Sequence, residues 1–141
     1  MKRQLRRVGY AHHPLLLLFV ALAISPACRR EPPAQPAIGR QVADAFLALL
    51  REGKTDVAWQ STTAEFKSDE GRESFARYVR DHALLREPLN FIDYQINDLN
   101  GLTRGQCRYQ PPPTSKSPTA KIRIAIAQES GTWKVEGLFV E

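Results

Sequence analysis

Side chains that could perform acid–base or nucleophilic chemistry are few in this sequence of 141 residues. After residue 27 it holds one histidine, His82, and two cysteines, Cys28 and Cys107. A metal site needs several histidine, cysteine or carboxylate ligands at short spacing, and no H-x-x-x-H or C-x-x-C segment is present. A G-x-S-x-G nucleophile turn and a glycine-rich phosphate loop are also missing. We therefore expect no catalytic residues, no metal and no cofactor.

Two side chains are candidate general bases. His82 lies one helical turn after Tyr78, so it could open into a cavity or pack at the border of the core. Asp93 falls in an alternating segment, on the face opposite Ile92 and Tyr94. Because apolar side chains normally take the buried face of a strand, we expect Asp93 to lie in solvent.

Aromatic residues suggest a ligand pocket. We assign Trp59, Tyr78, His82 and Tyr94 to this candidate pocket. Aromatic side chains at helix or strand spacing are also ordinary core residues. Both interpretations stay open for these four positions.

The first 27 residues have the pattern of a secretory signal peptide. Four basic residues precede ten consecutive apolar ones, 15–24, and small residues follow. Ten helical residues span about 15 Å, which is too short for a hydrocarbon core of about 30 Å. This leader holds four of the 20 basic residues and none of the 15 acidic ones. The remainder is near neutral, so we expect no nucleic-acid partner, which would need a basic face.

The segment Ser25-Pro26-Ala27-Cys28 resembles the lipobox of bacterial lipoproteins. The resemblance implies cleavage before Cys28 and acylation of its sulfur by fatty acids such as palmitate. The family prefers Leu where this chain has Ser25, and a small residue where it has Pro26. Ser25 and Ala27 also satisfy the small-x-small rule of ordinary signal peptidase, which would release an unanchored protein.

Residues 28–37 are predicted to form a tether between that lipid anchor and a folded domain at residues 38–141. The segment "RREPPAQPA" contains three prolines and no large apolar residue, which is typical of an extended spacer. Stable anchoring takes two acyl chains or more. The lipoprotein family retains proteins in the inner membrane with an Asp after the cysteine. Arg29 takes that place here, so if the cell has two membranes the resemblance implies the periplasmic face of the outer membrane.

Cys107 has no expected disulfide partner if Cys28 carries lipid. We then expect its thiol to be buried, where it is inert. A disulfide between Cys28 and Cys107 is the alternative if export leaves Cys28 free.

The domain begins with three predicted helices. Ile38–Leu50 has apolar residues at spacings of three and four, and Gly53 can end it. Thr55 can cap a second, short helix and Ser68 a third. The third helix must end before Pro88, because the residue before a proline avoids helical geometry.

Four predicted strands follow. Their ranges are Leu89–Asn97, Leu102–Tyr109, Ala120–Gln128 and Trp133–Val140. Asn100-Gly101 is a turn signal, and Gly137 is a candidate bulge in the last strand.

Alternation assigns side chains to the two faces of these strands. The sets expected to share a face are Ile92, Tyr94 and Ile96; Thr103, Gly105, Cys107 and Tyr109; and Ile122, Ile124 and Ile126. Phe91 is expected opposite the first set, and Lys121 and Arg123 opposite the last.

Helices gathered before antiparallel strands indicate an α+β domain, with three N-terminal helices packed on one face of a four-stranded antiparallel sheet. The stretches "FLALLREGKTDVAWQSTTAEFKS", "ESFARYVRDHALL" and "GTWKVEGLFV" resemble the cystatin-like superfamily of nuclear transport factor and ketosteroid isomerase. The resemblance implies a long helix across a curved sheet and a cone-shaped cavity beneath it. Some isomerases of that superfamily use an Asp that faces the cavity.

We expect a lipid-anchored envelope protein whose domain binds a ligand or a protein partner without catalysis. One alternative is an isomerase or dehydratase that uses His82 or Asp93 in the cavity. A second is a structural dimer formed through the outer sheet face, which Lys121 and Arg123 disfavour because they place charge there.

Overall fold

The computed structural model describes residues 35–99 and 102–141. The predicted signal peptide, Cys28 and the Asn100-Gly101 turn lie outside the described residues. No helix within the described ranges is long and apolar enough to span a bilayer.

The described chain is an α+β domain in which helices precede one antiparallel sheet. The helices are α1 (Gln35–Arg51), α2 (Thr55–Gln60), α3 (Ala64–Asp69) and α4 (Arg72–Asp81), followed by a 3-10 turn, Ala83–Arg86. The strands are β1 (Asn90–Leu99), β2 (Leu102–Gln110), β3 (Ile122–Glu129) and β4 (Thr132–Val140), in the spatial order β1-β2-β3-β4. The first helix starts inside the range assigned to the tether.

The prediction of three helices is wrong, because the predicted third helix is preceded by a separate short one. Thr63 caps α3, its hydroxyl oxygen accepting a hydrogen bond from the Phe66 N–H at 3.1 Å. Ser68 therefore lies inside α3 and does not cap a helix. The backbone is in an extended conformation at Gly71, the residue that precedes α4. At α2 the cap position belongs to Lys54, and the predicted cap Thr55 is the first helical residue.

The core lies between α1 and the sheet. This helix contacts all four strands, and its residues Ala43, Phe46, Leu47 and Leu50 are buried against them. The three isoleucines of β3 are fully buried, as their alternation predicted: Ile122, Ile124 and Ile126. Gly53 ends α1 with a φ of +74°, which confirms its predicted role as a cap.

A bulge in β1 overturns the predicted face assignment there. Phe91 pairs with Tyr109, but Asp93 pairs with the very next residue of β2, so Ile92 is an extra residue. Phe91 therefore faces the core, packing edge-on against the Tyr109 ring at 5.6 Å between centroids. Ile92 is 53% exposed and does not share a buried face with Tyr94.

A second bulge lies in β4, at the predicted position. Gly137 and Val135 pair with successive residues of β3, which leaves Glu136 as the extra residue. The extra residue shifts the strand's alternation, so that both Val135 and Leu138 are buried.

Candidate functional site

The four residues of the predicted pocket do not meet in one place. Tyr94 lies on β1, whereas the Tyr78 hydroxyl contacts β4, at the opposite edge of the sheet. Three strand spacings of about 4.8 Å, some 14 Å, separate these edges. Tyr78 and His82 are neighbours, with ring centroids 4.2 Å apart. Trp59 belongs to α2.

Tyr94 fills space between α1 and the sheet. Its ring lies against Gly39 of α1 and Gly105 of β2, and a Cβ at Gly39 would be 2.5 Å from Tyr94 Cε2. Both glycines therefore make room for the ring. The Tyr94 hydroxyl is buried and has no hydrogen-bond partner among the described residues, and burial raises its pKa.

The Tyr78–His82 pair is tied to the backbone. The Tyr78 hydroxyl oxygen accepts a hydrogen bond from the Val140 N–H at 3.0 Å. His82 Nδ1 donates to the carbonyl oxygen of Tyr78 at 2.9 Å. Burial raises the pKa of Tyr78. The His82 ring is thus positioned against Tyr78, one of its nitrogens being engaged with the end of α4.

Trp59 connects α2 to the segment between α3 and α4. Its Nε1–H donates to the carbonyl oxygen of Glu70 at 2.8 Å. The Lys67 ammonium lies 5.7 Å from the centre of the Trp59 ring, within the range of a cation–π contact. These contacts give Trp59 a structural role.

Asp93 lies on the outer face of β1, where it forms an ion pair with Arg108. The hydrogen bonds from this guanidinium lower the pKa of Asp93. The carboxylate is therefore held in an exposed ion pair and does not face the space under α1.

Cys107 is a fully buried, free thiol on β2, which confirms its predicted burial. Burial raises the pKa of Cys107 to about 11. A thiol with so high a pKa is protonated at neutral pH and is a poor nucleophile. Within residues 35–99 and 102–141, no group of three or more histidine, cysteine or carboxylate side chains could hold a metal ion.

The outer face of the sheet is charged as well as apolar. Arg123 contacts Glu141 at 2.8 Å and stacks over the Phe139 ring at 4.6 Å. Phe139 is 44% exposed. Charged side chains therefore interrupt the apolar surface that a dimer through this face would need, as the sequence indicated for Arg123.

A surface cleft of about 190 Å³ runs along the free edge of β4, between this strand and helices α3 and α4. We call it the β4-edge cleft. Its walls combine aromatic side chains, acidic side chains and the strand itself. They include Phe66, Phe75 and Tyr78; Asp69, Glu70 and Glu136; and Gly137, Leu138 and Phe139. Tyr78 alone of the four predicted pocket residues lines it.

The register of β3 and β4 turns the backbone of Leu138 toward this cleft. Lys121 and Glu141 exchange both of their N–H···O=C bonds, each at 2.8 Å. In an antiparallel ladder such pairs alternate with pairs whose N–H and C=O groups point away from each other. Leu138, paired with Ile124, belongs to the second kind. Its N–H and C=O therefore point away from β3.

The edge of β4 is covered on both sides of Leu138. On one side the Val135 carbonyl accepts a hydrogen bond from the Thr63 N–H at 2.9 Å, beside a parallel bridge from Thr62. On the other side the Val140 N–H donates to Tyr78. Between these two contacts no other described segment forms a hydrogen bond with the outward N–H or C=O of Leu138, so this is the open part of the edge.

The acidic side chains of the cleft differ in their partners. Glu136 lies 2.9 Å from Arg104, its side chain is 15% exposed, and burial raises its pKa. Asp69 and Glu70 form no ion pair with any residue in the described ranges. The cleft therefore carries unneutralised negative charge at its helical rim.

Sequence reasoning missed this cleft, although one signal for it was present. A run of strands joined in order predicts that the last strand is an edge, and Gly137 marks its bulge. The helical side of the cleft had no such signal, because Phe66 and Asp69 reach it through the unpredicted helix α3.

The comparisons with known proteins support the fold alone. No protein-family model matches the chain, and no curated protein matches it. A protein from Catenulispora acidiphila, whose structure was solved at 2.5 Å, is similar with a TM-score of 0.52 and 16% sequence identity. The match covers 74% of this chain and 88% of that one.

Proposed function

We propose that this protein is a lipid-anchored component of a bacterial cell envelope, and that its domain binds a protein partner without catalysing a reaction. The lipobox-like step at Cys28 and the proline-rich segment after it support the anchor. The β4-edge cleft supports the binding function, because one concave surface combines open strand backbone, aromatic walls and two carboxylates, Asp69 and Glu70, that have no ion-pair partner among the described residues.

The positions of the candidate bases favour binding over the isomerase alternative. Asp93 is engaged with Arg108 outside the core, and His82 is engaged with Tyr78 at the end of α4. The Tyr94 ring occupies space under α1. A general base must reach the proton that it abstracts, and neither side chain faces a cavity beneath α1.

A cystatin-like architecture is part of the proposal. A long first helix that contacts every strand of an antiparallel sheet supports it. In this chain the space beneath that helix is occupied by side chains, so we place the binding surface at the sheet edge.

Metabolic labelling tests the anchor. Cells expressing the native protein or the Cys28→Ser variant are grown with labelled palmitate. We expect label in the native protein alone, and separation of the membranes should place it with the outer membrane. Equal labelling of both proteins, or of neither, contradicts the lipoprotein assignment.

Photo-crosslinking in living cells tests the binding surface. A benzoyl-substituted phenylalanine replaces Phe139, which lines the cleft, or Val57, which is 48% exposed and does not line it. We expect one discrete adduct with another protein from position 139 and none from position 57. The absence of an adduct at both positions, or the same adduct at both, contradicts the proposed site.

A further inference from the structure

We propose that the β4-edge cleft binds an extended, basic segment of the partner polypeptide, which adds as a short strand beside Leu138. This inference rests on the proposed binding function and specifies the chemistry of its partner. It follows from the backbone, the size and the charge of the cleft.

The backbone of the cleft favours an extended polypeptide. Open strand edges are templates for a further strand, because they present unpaired N–H and C=O groups. Leu138 presents both groups, between the Thr63 contact at Val135 and the Tyr78 contact at Val140. A strand rises about 3.3 Å per residue, so this gap accepts about three residues of an incoming segment.

The size of the cleft favours one side chain of such a segment over a small-molecule ligand. Small-molecule sites usually measure about 300–1,000 Å³, whereas this cleft measures about 190 Å³. Its apolar wall is formed by Phe66, Phe75 and Tyr78. A strand that pairs with Leu138 directs alternate side chains to one face, so one aliphatic side chain can contact these rings.

The charge of the cleft favours a basic segment. Glu136 is already paired with Arg104, but Asp69 and Glu70 have no cationic partner in the described part of the chain. Both flank the apolar wall. A lysine or arginine two residues from the aliphatic residue would share its face and place its charge beside them, and an acidic residue there would be repelled.

Peptide binding to the full-length chain in detergent tests the inference. The probe is fluorescein-labelled Lys-Ser-Val-Ser-Lys, compared with Glu-Ser-Val-Ser-Glu and with the lysine peptide N-methylated at its valine, which lacks that backbone donor. We expect the lysine peptide to bind with a dissociation constant below about 1 mM. We expect both comparison peptides to bind at least about tenfold more weakly.

A matched pair of charge reversals locates the site. Glu70→Lys changes the rim of the cleft, and Glu73→Lys makes the same change on an exposed position of α4 outside it. We expect about a tenfold loss of affinity for the first and less than about twofold for the second. Thermal unfolding of both variants establishes that each is folded.

Hydrogen exchange identifies the mode of binding. The Leu138 amide should exchange about tenfold more slowly with the lysine peptide bound, because a strand bond then protects it. The Val140 amide, already bonded to Tyr78, should change little.

Several outcomes overturn the inference. They are equal binding of the lysine and glutamate peptides, no binding at about 1 mM, and no added protection at Leu138. Self-association that Glu70→Lys abolishes would assign the cleft to a second copy of this chain instead. A crosslink from position 139 that persists while the peptide tests fail would retain the binding function and reject the strand mechanism.

Discussion

Removal of the Tyr94 hydroxyl should stabilise the domain. This oxygen is buried, has no hydrogen-bond partner within residues 35–99 and 102–141, and lies against the backbone of Gly105. In the unfolded chain the hydroxyl is hydrated, so folding removes its bonds to water and supplies none in return. Tyr94→Phe deletes that cost and keeps the ring that fills the space between Gly39 and Gly105.

The expected magnitude follows from the cost of an unpaired buried group, about 1–3 kcal/mol. Tyr94 is only partly buried as a residue, and the deletion also loses the oxygen's dispersion contacts. We therefore expect the free energy of unfolding to rise by about 1 kcal/mol. In a domain of this size, this gain in stability corresponds to an increase of about 4 °C in Tm, the midpoint of thermal unfolding.

Urea unfolding followed by circular dichroism measures this change. The matched control is Tyr109→Phe, because the Tyr109 hydroxyl donates to Asp44 Oδ1 at 2.7 Å. Hydrogen bonds to charged groups contribute about 1.5–3 kcal/mol, so the control should lower the free energy of unfolding by about 1–2 kcal/mol. A loss of more than about 1 kcal/mol in Tyr94→Phe would refute the reasoning, since the hydroxyl would then have a partner.

Three further outcomes are expected. Gly105→Ala should lower the free energy of unfolding by about 1–3 kcal/mol, because its Cβ would overlap the Tyr94 ring; chemical denaturation measures it, and a neutral result would mean that the ring moves freely. In the unfolded chain the Cys107 thiol ionises near its ordinary pKa of 9.0, whereas in the folded domain it stays neutral up to a pH of about 11. Stability should therefore fall as pH rises through this interval, and Cys107→Ala should show a flatter dependence in urea titrations; identical slopes would contradict a buried thiol. Thr63→Ala should cost about 1 kcal/mol through the lost cap of α3, measured as a thermal midpoint against Ser61→Ala, whose exposed side chain caps no helix start; equal effects would show that the cap does not contribute.

The periodic elements could be predicted because local pattern and burial agree in them. The isoleucines of β3 alternate without interruption in a strand that is paired on both sides, and the face that they share is buried at all three positions. The apolar residues of α1 keep helical spacing, and Gly53 ends the helix with a positive φ that glycine adopts without strain.

The candidate site was less predictable, because its residues meet only through long-range contacts. The pattern of β1 placed Ile92 beside Tyr94, but one extra residue in the strand reversed the face of Ile92. The aromatic residues proposed for one pocket occupy three places in the fold. Which of them share a surface depends on the packing of helices on strands, which spacing along the chain does not specify.

Local residue patterns thus determined the α+β class, the succession of helices and then four strands, the buried thiol of Cys107 and the bulge near Gly137. Only the tertiary structure decided that Tyr94 fills the space beneath α1 and that Leu138 faces an open cleft. The reason is physical: hydrophobic periodicity records which side of an element is buried. The direction of an unpaired N–H and the proximity of α3 to β4 arise from register and packing across the whole domain.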